Sequence, residues 1–136
     1  MLLLNAQKRK VFYVVTQIKK ESKDYVCPKC FRSPEECICS WYSNNLILID
    51  YNLQEVIRKL NDHGMKTQDC CEGHYKDYKA NIYISFIDKI NSCPKEFEIE
   101  KGKIIRHIYK SNSKREFEKE KERMIKNIND WIDGIE

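Results

Sequence analysis

Cys27-Pro28-Lys29-Cys30, followed after Phe31 to Glu36 by Cys37-Ile38-Cys39, is the stretch from which the fold is read. Two close cysteine pairs on a short connection can offer four thiolates to one ion without help from distant parts of the chain. Zinc takes four ligands tetrahedrally, and thiolate is its preferred structural ligand. Ser33, Pro34, Glu35 and Glu36 suit a turn between the pairs. Four thiolates fill the shell and leave no position for water or substrate. The expectation is therefore a closed structural Zn2+ site made by Cys27, Cys30, Cys37 and Cys39. Ordinary free thiols and iron–sulfur ligation are the alternatives, although the spacings differ from the ferredoxin runs. The Cys-x-Cys pair converges on one ion only if the chain turns tightly at Ile38.

The rest of the chain fits such a site. Seven cysteines is an odd number and does not suit a closed disulfide framework. No secretory signal is read, because Met1-Leu2-Leu3-Leu4 lacks a preceding basic residue and stops at Asn5. Clustered thiols in a chain that is not exported point to a reducing, cytoplasmic compartment and to metal. No stretch reaches the length of a membrane span.

The length of 136 residues predicts one domain over 1–136, large enough to bury a core of its own. Charged residues make up 34% and hydrophobic ones 41%, a heavily charged globular composition. The net charge of +4 is too mild to name a nucleic-acid partner by itself. It is uneven, however. Lys8, Arg9, Lys10, Lys19, Lys20 and Lys23 precede Asp24 with only Glu21 against them. That is either a phosphate-binding edge or a solvated face.

Working outward, Val11 to Ile18 is β-branched and aromatic and predicts a first strand. Glu21 to Trp41 shows no period, so a zinc loop over about 21–45 is expected to interrupt the sheet. Leu46 to Ile49 predicts a buried strand. A helix should follow, capped by Asn52 with Glu55 in capping-box position, with Leu53, Val56, Ile57 and Leu60 on one face and Gly64 ending it. Lys66 to Cys71 and Ile82 to Phe86 predict strands. Phe97 to Glu100, Lys101-Gly102 and Ile104 to Tyr109 predict a hairpin. Ser113 and Glu116 form a second capping box, opening an amphipathic helix over about 114–133. Its apolar stripe holds Phe117, Met124, Ile125, Ile128, Trp131, Ile132 and Ile135, while Lys and Glu crowd the rest of Lys114 to Arg123. The fold expected is α+β: a small mixed sheet with a capped helix after the second strand, a C-terminal amphipathic helix and an inserted four-cysteine zinc loop.

Gln68-Asp69-Cys70-Cys71-Glu72-Gly73-His74 is the other unusual stretch. Cys71 and His74 flank a short glycine turn and could converge. Three readings stand beside one another. They are buried unreactive thiols with a hydrogen-bonded histidine, a second metal site of Cys71 and His74 with Cys70 or Cys93, or a thiol activated by its histidine. Adjacent strand residues face opposite ways, so at most one of Cys70 and Cys71 should face His74. Asp69 and Glu72 bring negative charge, which raises a thiol's pKa and opposes activation.

The two cysteine blocks carry a resemblance, together with Ile57, Leu60-Asn61, Gly64, Thr67 and Tyr83-Ile84-Ser85-Phe86. Over residues 25 to 87 the chain resembles a group of small uncharacterised proteins of bacteriophages and mobile elements from AT-rich bacteria. The resemblance implies a zinc-binding accessory protein and brings no known activity. The Cys70 to His74 loop is also similar to a Ser-Cys-Ser-Gly-Arg loop in a tRNA wybutosine-synthesis methyltransferase family. Its Ser and Arg are missing here, so that activity is not implied.

Three functional classes follow. The leading one is a non-enzymatic zinc-stabilised protein that binds a host protein or nucleoprotein. Inhibition of a bacterial defence complex such as a CRISPR effector is one form, by analogy of source. The second is nucleic-acid binding, with Lys8, Arg9, Lys10, Lys29 and Arg32 on phosphates and Phe12, Tyr13, Phe31, Trp41 and Tyr42 available for stacking. The third is a thiol or metal enzyme centred on Cys71 and His74.

Overall fold

The computed structural model describes residues 23–39, 46–75, 79–109 and 113–135. The strand expected over Val11–Ile18 lies outside them, as do Lys8, Arg9, Lys10, Phe12, Tyr13, Trp41 and Tyr42. Among the described residues the architecture is α+β, with two sheets, two helices and a cysteine-rich cluster. Among the described strands every pairing is antiparallel, in two sheets rather than one mixed sheet.

Strands β1 (Lys23–Val26) and β2 (Ile47–Asp50) form the smaller sheet. They pair from Lys23↔Asp50 to Val26↔Ile47. The lack of any period over Glu21 to Trp41 predicts loop before Cys27, and the structure has a strand there. It forms because Tyr25 and Val26 suit the pleat and β2 supplies the ladder, and four residues are too few to show a period.

A 3-10 turn at Tyr51–Leu53 leads into helix α1 (Gln54–Asp62). Val56, Ile57 and Leu60 are buried on the expected face. The predicted Asn52 cap is not formed. Leu53 holds the cap position and no side chain bonds there, because Asn52 is drawn inward to Glu72. The helix closes as expected at Gly64, whose φ is +82°. The Met65 amide donates to the Leu60 carbonyl at 2.9 Å and that of Gly64 to Asn61 at 3.0 Å, the paired bonds of a Schellman ending.

The larger sheet has the order β3 (Thr67–Cys71), β4 (Lys79–Phe86), β6 (Lys103–Tyr109), β5 (Glu98–Glu100). Lys101 and Gly102 both have positive φ, 50° and 78°, matching a two-residue hairpin turn. On one face Ala80, Ile82, Ile84 and Phe86 are buried, with Ile104 and Ile108 beside them on β6. Helix α2 (Lys114–Asp133) covers that face. Its cap is the one expected: Ser113 accepts the Glu116 amide at 3.2 Å. Phe117, Met124, Ile125, Ile128 and Ile132 join α1 and the sheet in one apolar cluster. Removing such a side chain to alanine costs roughly 2–5 kcal/mol.

One residue of the crowded charged stretch is misplaced by the sequence reading. Lys121 is fully buried. It stands between Phe117 and Ile125 at helical spacing, on the apolar stripe itself.

Candidate metal centres

The first centre is built on the chain leaving β1. The Phe31 amide donates to the Cys27 carbonyl at 2.7 Å and the Cys27 amide to that of Arg32 at 3.0 Å, closing a tight loop. Phe31 takes φ +60° and turns its ring into the core. Arg32 reaches Asp62 at 3.2 Å and so ties the loop to α1. The next turn forms where expected, with the Glu36 and Cys37 amides on the Ser33 carbonyl at 3.0 and 2.9 Å.

The Lys29 amide points at Cys27 Sγ at 3.4 Å, and the Cys39 amide at Cys37 Sγ at 3.3 Å. The second of these is the tight turn that the Cys-x-Cys pair requires. The sulfur atoms of Cys27, Cys30, Cys37 and Cys39 all lie within 4.8 Å of one another, close enough to hold one metal ion. The thiols are unequal. Burial raises Cys27, but bonds from the Cys30 and Lys29 backbone and from the Cys37 and Cys30 thiols outweigh it and bring it to about 7. Burial, with the thiols of Cys27, Cys30 and Cys39 beside it, pushes Cys37 up to about 12. A cation at the centre of such a set favours the thiolate at each position.

The structure also alters the nucleic-acid reading. Phe31 is buried and unable to stack on a base, and Arg32 is paired with Asp62. Lys29 remains exposed.

The second cluster lies where β3 ends. Cys71 and His74 come together, and their third neighbour is Asp50 at the end of β2. His74 Nε2 is 3.4 Å from Asp50 Oδ2. Cys70 and Cys93, the third members expected from sequence, are elsewhere: both pack against the apolar cluster, and Cys93 donates to the Phe97 carbonyl at 3.3 Å. Burial first, then the charges of Asp50 and Glu72, raises the Cys71 thiol against an opposing bond from the Gly73 amide. These surroundings favour the protonated thiol over the thiolate.

Glu72 fixes this geometry. Its amide donates to Asp50 Oδ2 at 2.9 Å. Its carboxylate accepts the Asn52 amide at 3.1 Å, Asn52 Nδ2 at 2.8 Å and Lys121 Nζ at 2.7 Å. Lys121 also donates to the Gly73 carbonyl at 2.9 Å. Gly73 has φ +79°, and a Cβ there would stand 3.4 Å from Ile82 Cγ1. The sequence offered one signal for this network, a lysine on an apolar stripe, which demands a buried partner.

No family model, curated protein or solved structure matches this chain. Among the described residues no helix is long and apolar enough to cross a membrane.

Proposed function

We propose that the chain is a zinc-stabilised accessory protein of the cytoplasm that acts by binding another macromolecule. The four-cysteine centre carries the metal part of this reading. Zinc–thiolate bonds of about 2.3 Å at tetrahedral angles put sulfurs about 3.8 Å apart, and the four sulfurs need little adjustment to reach that. The donor set is complete, so the ion serves structure.

The binding part rests on the surface around that centre. Tyr25 and Leu48, paired across β1 and β2, are 56% and 51% exposed, and Ile38 on the Cys-x-Cys turn is 97% exposed. Pro28 and Phe31 of the loop and Leu48 and Ile49 of β2 line one side of a groove of about 210 Å³, and Thr67, Gln68, Asp69 and Cys70 of β3 line the other. Exposed apolar side chains grouped beside a hydrogen-bonded loop are features of protein-binding surfaces. Occupation of a bacterial defence complex such as a CRISPR effector is the concrete form that the resemblance to phage proteins favours.

The test is purification of the tagged chain from its native host through a salt series, in parallel with and without nuclease. A protein or nucleoprotein that stays bound through the salt series, and is lost with Ile38→Asp and Leu48→Asp, supports this reading. Capture of nucleic acid alone, released steeply by salt, overturns it in favour of the nucleic-acid reading.

A further inference from the structure

We infer that Asp50, Cys71 and His74 form a second zinc site, separate from the four-cysteine centre, with three protein ligands and a fourth position for water. One ligand atom from each residue lies within 4.8 Å of the others. The Asp50 Oδ2 to His74 Nε2 separation of 3.4 Å suits two ligands of one ion. Zinc bonds of about 2.05 Å at a tetrahedral angle place nitrogen and oxygen about 3.3 Å apart.

The donor chemistry selects the cation class. Thiolate and imidazole favour zinc and its transition-metal neighbours over magnesium or calcium, which want oxygen alone. A thiolate and a carboxylate together neutralise a divalent ion.

The supporting bonds are those that orient metal ligands. Asp50 Oδ2 is held by the Glu72 amide at 2.9 Å, and Cys71 Sγ by the Gly73 amide at 3.4 Å. Glu72 is itself clamped by Asn52 and Lys121, so the end of β2 and the turn after β3 are locked together by contacts that do not involve the ligand atoms of Cys71 or His74. Such outer bonds fix which way a ligand points. Asp50 is 4% exposed, and its Oδ1 accepts no hydrogen bond among the described residues. Lys23 Nζ is 3.9 Å away, and that lysine is itself largely exposed. A buried carboxylate oxygen left in this condition favours a cation beside it.

The consequence differs from that of the first centre. Four thiolates close a coordination shell, whereas three protein ligands are the arrangement of zinc sites that polarise water. Cys71 and His74 are only partly buried, which leaves a solvent path.

Elemental analysis and cobalt(II) substitution of the whole chain test this, using the metals alone as probes. The unaltered protein is expected to carry about two zinc ions, and Cys71→Ser, His74→Gln and Cys30→Ser about one each. In Cys30→Ser, the remaining cobalt should lose its thiolate charge-transfer band when Cys71→Ser is added. Circular dichroism of His74→Gln, a substitution at a partly exposed position, guards against reading unfolding as ligand loss. One zinc in the unaltered chain, kept by Cys71→Ser and His74→Gln and lost by Cys30→Ser, overturns the second site and leaves the four-cysteine centre intact. One zinc lost by Cys71→Ser and kept by Cys30→Ser does the reverse. Loss of all metal from well-folded His74→Gln overturns the independence of the two sites.

Discussion

Glu72 Oε2 and Lys121 Nζ meet at 2.7 Å with both side chains fully excluded from water. This pair joins α2 to the turn after β3, and through Asn52 to the entry of α1. A buried ion pair is a weak net stabiliser, because desolvation offsets most of the attraction. Its loss on one side is another matter. Lys121→Ala strands the Glu72 carboxylate, and the expected cost is about 3–5 kcal/mol in urea unfolding. Replacing both partners, Glu72→Gln with Lys121→Met, should be milder than Lys121→Ala alone. A double variant as unstable as the single one would show that shape, not charge, governs this position.

That pair also marks where the sequence stops being legible. Local signals read well. Gly64, the Lys101-Gly102 turn and the Ser113 cap need only neighbouring residues to act, and each lies where its chemistry placed it. So do the two cysteine pairs, which meet across one short loop. The misses are long-range. Asn52 is an equally good helix cap and buried amide, and only the arrival of Glu72 from 20 residues away decides between them. Asp50 ends an apolar strand and looks like a boundary residue, until β3 brings Cys71 and His74 beside it. Lys121 hides in a run of charges because composition masks its phase on the helix.

Gly73 is held at φ +79°, a conformation that costs an L-residue about 1–2 kcal/mol. Its added Cβ would also press on Ile82 Cγ1 and Ala80 Cβ, at 3.4 and 3.5 Å. Gly73→Ala is therefore expected to lower stability by about 1–3 kcal/mol. Gly64→Ala has open space around its Cβ and only the backbone cost. Thermal unfolding should rank Gly73→Ala below Gly64→Ala, and the reverse order would mean that the turn relaxes.

Burial, then the charges of Asp50 and Asp69, pushes the Cys70 thiol up to about 12. An unfolded cysteine loses its proton near pH ~8.5. Between these values the folded state binds the extra proton, so stability is present at neutral pH and is lost as pH rises. At full effect the slope is about 1.4 kcal/mol per pH unit. Cys70→Ala should flatten it over roughly pH 9–11, whatever it does to absolute stability. Urea midpoints at stepped pH give the measurement. An unchanged slope would assign the alkaline loss to other groups, with Tyr83, also raised above its usual range, as the first to examine.

Cys30→Ser separates the loop from the core. Residues 27 to 39 hold together through amide bonds within the loop and through thiols that share one centre. The larger sheet and α2 are held by a separate apolar cluster, in which Phe31 is the loop's anchor. Losing one thiolate should release the metal and open the loop, while the β4–β6 ladder stays closed. Hydrogen exchange resolves the two regions. The Cys27, Phe31 and Cys37 amides are expected to lose protection by at least about tenfold, equal to about 1.4 kcal/mol of local opening. The amides of Ile82, Ile84 and Ile104 should keep theirs. Uniform loss across both sets would mean that the apolar cluster cannot stand without the metal.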